Sequence, residues 1–180
     1  MFIVGIILIA IVGTLLHFTY ELSGHNKIVA IFSAVNESTW EHIKICMTPT
    51  ILWSIYEIIN YGFSYNFIIA KSISLLVIIL LIPLLFYTYI PFTKKSILLL
   101  DVICFYITVI CSQLTFKYII NTENINNGYI IPSIVLLIIE LIAYFSLTFK
   151  PFESFIFEDP ISHKYGLEGH TEMDHHHHKH

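Results

Sequence analysis

The sequence contains no arginine; all nine basic residues are lysine. Bidentate guanidinium clamps on phosphate or carboxylate are thereby excluded. Charge of any kind is scarce, at 12% of residues, where a soluble domain carries about 25%. The net charge of −4 comes largely from the C-terminal segment and gives no basic surface for nucleic acid. Only three cysteines occur, Cys46, Cys104 and Cys111, and none forms a C-x-x-C pair, so neither a zinc ribbon nor a redox motif is indicated. They read as small apolar packing residues. The chain also lacks the H-E-x-x-H zinc-protease spacing, a G-x-S-x-G elbow and a glycine-rich phosphate loop. No internal repeat supports an inverted-repeat transporter. The N-terminus has neither a basic leading region nor a small-x-small cleavage site, and so reads as a retained first span rather than a signal peptide.

What the chain has is apolar length. Hydrophobic residues make up 56% of it, with a mean hydropathy of +0.76. Runs near twenty residues long predict an all-α polytopic membrane protein. Five transmembrane helices are expected, over Phe2–Tyr20, Thr39–Tyr61, Phe67–Ile90, Ser96–Ile119 and Tyr129–Phe149. Lys27–Val35 is too short to cross and is expected at the interface or as a re-entrant piece. Ser38 or Asn36 is the expected cap of the second span, with Glu41 completing a capping box. Pro49 should kink that span or free a carbonyl, and Pro91–Lys95 should form a loop. The organisation is then a bundle over residues 1–151 and a tail over 152–180 whose first half docks on the inner face.

Lysine bias sets the expected orientation. Lys27, Lys44, Lys94, Lys95, Lys150, Lys164 and Lys179 fall on one side, and only Lys71 and Lys117 on the other. The tail is therefore expected in the cytoplasm and the N-terminus outside. Lys44 is expected to snorkel to headgroups, and Trp40 and Trp53 to anchor at the interface.

This topology gathers polar residues at the inner ends of the spans. His17 and Glu21 are four apart on one helix, and Glu37 and Glu41 share the same spacing. Asn36 and His42 flank them, and Asp101 lies about one and a half turns into the fourth span. Glu140 lies among Leu and Ile well inside the fifth, where an isolated carboxylate costs several kcal/mol. Carboxylates and imidazoles together suit zinc or another first-row divalent metal, and they also suit proton transfer. The expectation is one cavity lined by Glu21, Glu37, Glu41 and Glu140, with His17 or His42 in reach. Glu57 and Lys71 straddle the turn between spans two and three and predict a structural ion pair. The terminal His170, His175, His176, His177, His178 and His180 form a second, looser metal-binding tract, or a purification tag.

The string Asn-Glu-Ser-Thr-Trp-Glu-His at 36–42, with His17-Phe-x-Tyr-Glu21-Leu-Ser-Gly24 and Asp159-Pro160 to Tyr165-Gly166, resembles a family of small, uncharacterised bacterial integral membrane proteins. The resemblance covers the first span through Gly166 and implies the plasma membrane as location. It implies no activity. The residues themselves leave two main functional classes. One is a protein that binds or transports a divalent cation or protons. The other is an intramembrane enzyme acting on a lipid or lipid-linked substrate. A non-catalytic assembly or sensor protein is a third.

Overall fold

The computed structural model describes residues 2–94, 97–123 and 125–169. The chain is all-α: α1 (Phe2–Leu22), α2 (Lys27–Ala30), α3 (Thr39–Tyr61), α4 (Tyr65–Thr93), α5 (Leu98–Ile120) and α6 (Ile130–Ser146), the last preceded by a 3-10 turn at Asn127–Tyr129. The second expected span matches α3 at both ends. The third is longer than expected: α4 runs through Pro83 and Pro91 and stops only where Lys94 adopts φ 60°. The expected Pro91 loop is therefore largely helix.

Four helices are long and apolar enough to cross a membrane: α1, α4, α5 and the Asn127–Ser146 segment. α3 has the length, at 23 residues, but is not among the four. The reason lies in its sequence, which spends Glu41, His42, Lys44, Glu57 and several threonines on contacts inside the protein. From Thr39 to Thr50 all its residues are buried except His42.

Successive helices of the set α1, α3, α4 and α5 run antiparallel. His17 of α1 meets His42 of α3, while Gly5 lies against Trp53 further along. Thr39 and Glu57 of α3 pair with Tyr87 and Lys71 of α4. Asp101, Ser112 and Thr122 follow in order along α5 and its end, opposite Tyr89, Ser74 and Asn66 of α4. α1, α3, α4 and α5 thus close a ring, and α6 packs on the outside of α4. The core between them holds Ile9, Ile43, Met47, Ile78, Phe105 and Val109. Gly13 permits a close approach in the ring. A Cβ there would stand 2.9 Å from the Ile45 carbonyl oxygen and 2.5 Å from the Phe105 ring. Ile45 lies four residues before Pro49, whose missing N–H leaves that carbonyl without its helical donor.

Glu57 and Lys71 meet at 2.5 Å, both almost fully buried, and the Lys71 ammonium also lies 4.4 Å from the Phe116 ring centroid. A lone charge at that depth would be costly, so each side chain compensates the other.

Beyond α6 the chain folds back over the end of the bundle where α1 finishes and α3 begins. Gly166 adopts φ 57°, and a Cβ there would press on the Thr148 carbonyl at 3.0 Å, so only glycine turns the chain there without strain. Trp40 donates its backbone N–H to Ile156 O at 2.9 Å, and its ring packs on Phe157 at 5.2 Å. Trp40 is therefore a core residue at 5% exposure, not an interface anchor; this tail covers the face that would have met headgroups. Trp53 is half-buried and stacks on Tyr56. Lys44 does not snorkel either. It is 0% exposed and bonds Glu41 at 2.5 Å, Ala30 O at 2.8 Å and Thr148 Oγ1 at 3.1 Å. The expected capping box is absent too. Ser38 occupies the cap position but its side chain makes no cap bond, and the Glu41 carboxylate accepts from Val35 N at 2.9 Å instead. The terminal histidine tract, His170 and His175–His180, lies outside the described residues.

Candidate functional site

The candidate site forms where three segments end together. α1 delivers His17 in its last turns, α3 delivers His42 in its first, and the loop before α3 delivers Glu37. Glu37 Oε2 lies 3.6 Å from His17 Nε2 and 3.9 Å from His42 Nε2. The three donor atoms are all within 4.8 Å of one another. Each side chain is between about a fifth and a third exposed, so the cluster is shielded yet reachable.

His42 and Glu37 are held from behind, and so is the helix that carries His17. His42 Nδ1–H donates to Ser38 O at 3.0 Å, which fixes the tautomer and leaves the Nε2 lone pair facing the cluster. The Glu37 N–H donates to Asp159 Oδ1 at 2.9 Å. Asn36 bonds Ser38 N through Oδ1 and Gly166 O through Nδ2. Ser33 grips the end of α1, accepting from Tyr20 N at 2.9 Å and donating to Leu16 O at 2.5 Å. The loop is thus fastened both to the helix that carries His17 and to the C-terminal segment.

Two cavities flank the cluster. The first, of about 110 Å³, is the more polar of the two and is lined by His17, Glu21, Asn36 and Glu37 with Phe18, Ala34 and Val35. The second, of about 20 Å³, lies between α3, α4 and α5; His42, Thr39 and Asp101 face it together with Ile82, Phe86 and Phe105. Asp101 accepts a short hydrogen bond from Tyr89 Oη.

The sequence-predicted residues therefore separate into groups. His17, Glu21, Asn36 and Glu37 share the first cavity, and His42 joins it to the second, where Asp101 lies. Glu41 faces neither; it is spent on Lys44 and Val35. Glu140 also faces neither. It is 3% exposed, one turn before Tyr144, whose hydroxyl bonds Thr48 Oγ1 at 2.7 Å. Neither Glu140 oxygen has a hydrogen-bond partner among the described residues. Two residues central to the arrangement, Lys44 and Asp159, were not expected there. For Lys44 the signal was an opposite charge three residues away. For Asp159 it was only the Asp-Pro pair within the resembling segment.

Two imidazoles and a carboxylate are a recurrent set for zinc with an open fourth position, and also for non-haem iron(II). Bonds of about 2.0–2.1 Å in tetrahedral geometry place donors about 3.4 Å apart. The two measured edges exceed that by a few tenths of an ångström, within reach of small side-chain rotations. Chemically, such an ion can polarise a carbonyl or activate bound water. The chain matches no curated protein and no solved structure. A family profile does match residues 1–167, covering the six helices, the cluster of His17, Glu37 and His42 and the segment that braces it, and the chain belongs to that family, the family of unknown function DUF6512.

Proposed function

We propose that this is a multi-pass membrane protein holding one divalent first-row metal, zinc by ligand chemistry, on His17, Glu37 and His42. The observation that carries this reading is the convergence of three donor atoms within 4.8 Å from three separate segments, with the His42 tautomer already set. Local helix capping does not call for that convergence. Resident binding is favoured over transport, because beyond the site the ring closes on apolar residues, Ile9, Ile43, Met47 and Ile78 among them. The test is metal analysis of the full-length protein in detergent, with the six tail histidines replaced by asparagine. One equivalent of metal per chain is expected, falling at least tenfold in affinity in His17→Ala, Glu37→Gln and His42→Ala. Unchanged metal content in all three variants would refute the site.

The reading includes five crossings. α1 finishes at the end of the bundle that carries the site, yet α4 begins at the other end, near the level of Phe2 (Phe67 packs on Phe116, and Lys117 lies over the Phe2 ring). Only a traverse by α3 connects the two. The polar composition of α3 is then that of a span shielded by its neighbours. Lys44 and Lys71 are internal ion-pair members and drop out of the orientation count. Lys27, Lys94, Lys95, Lys150, Lys164 and Lys179 still oppose Lys117 alone, so the metal site faces the cytoplasm. A fluorescent-protein fusion after His180 should be bright and an alkaline phosphatase fusion at the same point inactive. The reverse pattern would put the site on the outer face.

A further inference from the structure

We infer that the site is hydrolytic and that its substrate is a membrane amphiphile with a neutral acyl linkage, an ester or an amide; the inference rests on the metal reading above. Two features point there. First, the cluster sits at the junction of two unlike cavities. The larger and more polar one has room for a water and a carbonyl. The other presents Ile82, Phe86 and Phe105 immediately beside His42, with Phe86 and Cys104 only partly buried. At about 20 Å³ it accepts a group of methylene size, so an acyl chain would continue from it along the exposed face of α5, where Leu98, Val102 and Tyr106 are open. A water-soluble substrate has no use for that wall; a lipid resting in the bilayer beside α5 has. Second, the remaining charges select the reacting group. Glu21 lines the more polar cavity and Asp101 the apolar one, and among the described residues no lysine lines either. Carboxylates on both sides disfavour a phosphate and suit an uncharged carbonyl.

Glu21 is the residue placed to move the proton. It lies one helical turn beyond His17 in α1, on the same wall of the same cavity, and is not itself a member of the metal cluster. A metal held by His17, Glu37 and His42 would supply the polarisation of a bound water and of the substrate carbonyl. Glu21 would take the proton that the water loses as its oxygen adds to the carbonyl carbon. Collapse breaks the bond from carbon to the leaving oxygen or nitrogen, and that atom takes the proton from Glu21. Substrate and water become a carboxylic acid and an alcohol or amine, with no redox partner needed.

The experiment uses the full-length zinc-loaded protein in detergent micelles, with the six tail histidines replaced by asparagine. The probes are p-nitrophenyl palmitate and p-nitrophenyl acetate, and zinc content is measured in each sample. Zinc-dependent release of nitrophenolate is expected, with kcat/KM at least tenfold higher for the palmitate. Glu21→Gln should lower kcat about 100-fold or more while retaining one zinc per chain. A folded, zinc-replete protein that releases nothing above the zinc-free control overturns the hydrolytic inference and leaves the metal reading standing. Full activity in Glu21→Gln, or an acetate rate equal to the palmitate rate, also overturns it. A folded protein that binds no zinc overturns both.

Discussion

Replacing Lys44 by methionine is expected to destabilise the protein by about 3–5 kcal/mol, the range for removing one partner of a buried ion pair. The Lys44 ammonium spends all three of its protons, on Glu41, Ala30 O and Thr148 Oγ1. Methionine preserves much of the volume and none of those bonds. It leaves the Glu41 carboxylate, 1% exposed, with only the Val35 N–H for company. It also releases the Ala30 carbonyl, so the loop that carries Glu37 loses an anchor as well. Glu41→Gln in the Lys44→Met background should recover a large part of the loss, since glutamine still accepts from Val35 and no charge remains to be compensated. Thermal unfolding in detergent of the two single variants and the double variant gives the coupling energy directly. Strictly additive losses would show that the two side chains do not depend on each other.

Much of the bundle was legible in the sequence because the bilayer imposes a length and a polarity that composition reports directly. The limits of α3 and the start of α1 could be read that way. The site was legible where its spacing rule applied. His17 and Glu21 both lie within α1, so four residues apart means one face, and they do share a cavity. The same rule fails for Glu37 and Glu41. α3 begins at Thr39, Glu37 lies in the loop before it, and the two carboxylates diverge, one to the imidazoles and one to Lys44. What the sequence concealed is the covering of this end by the C-terminal segment. The bonds from Asn36 to Gly166 and from Glu37 to Asp159 cross 130 and 122 residues, beyond any periodicity. That cover turns Trp40 and Lys44 from interface residues into buried ones. Glu140 marks a different limit: hydropathy shows that a buried carboxyl needs company, but not which helix faces it.

Asp159→Ala should both loosen the fold and weaken the metal site, and the pairing of these two effects is what distinguishes a brace from a ligand. Asp159 is 0% exposed. Its charge is met by backbone N–H groups: Glu37 at 2.9 Å through Oδ1, and Ile161 and Ser162 at 3.2 and 2.6 Å through Oδ2. Charge-assisted bonds of this kind are about twice as strong as neutral ones. Alanine leaves three partly buried donors without their acceptor, at roughly 1 kcal/mol for each, the low end of the range for an unsatisfied group. The first of them belongs to the residue that presents the carboxylate to His17 and His42. A loss of about 3 kcal/mol or more in stability is therefore expected, together with a fall of about 10–100-fold in metal affinity, the scale for losing an outer support of a ligand. Asp159→Asn keeps one acceptor oxygen, so it can serve Glu37 or the Ile161–Ser162 turn but not both, and should fall between wild type and alanine on both measures. Glu37→Gln should behave differently. It keeps the backbone bond to Asp159, so the melting temperature of the metal-free protein should hold while metal binding collapses. Unfolding of each metal-free variant, followed by zinc titration, separates the cases. If Asp159→Ala melts with the wild type and binds zinc equally well, the C-terminal segment is not what positions Glu37.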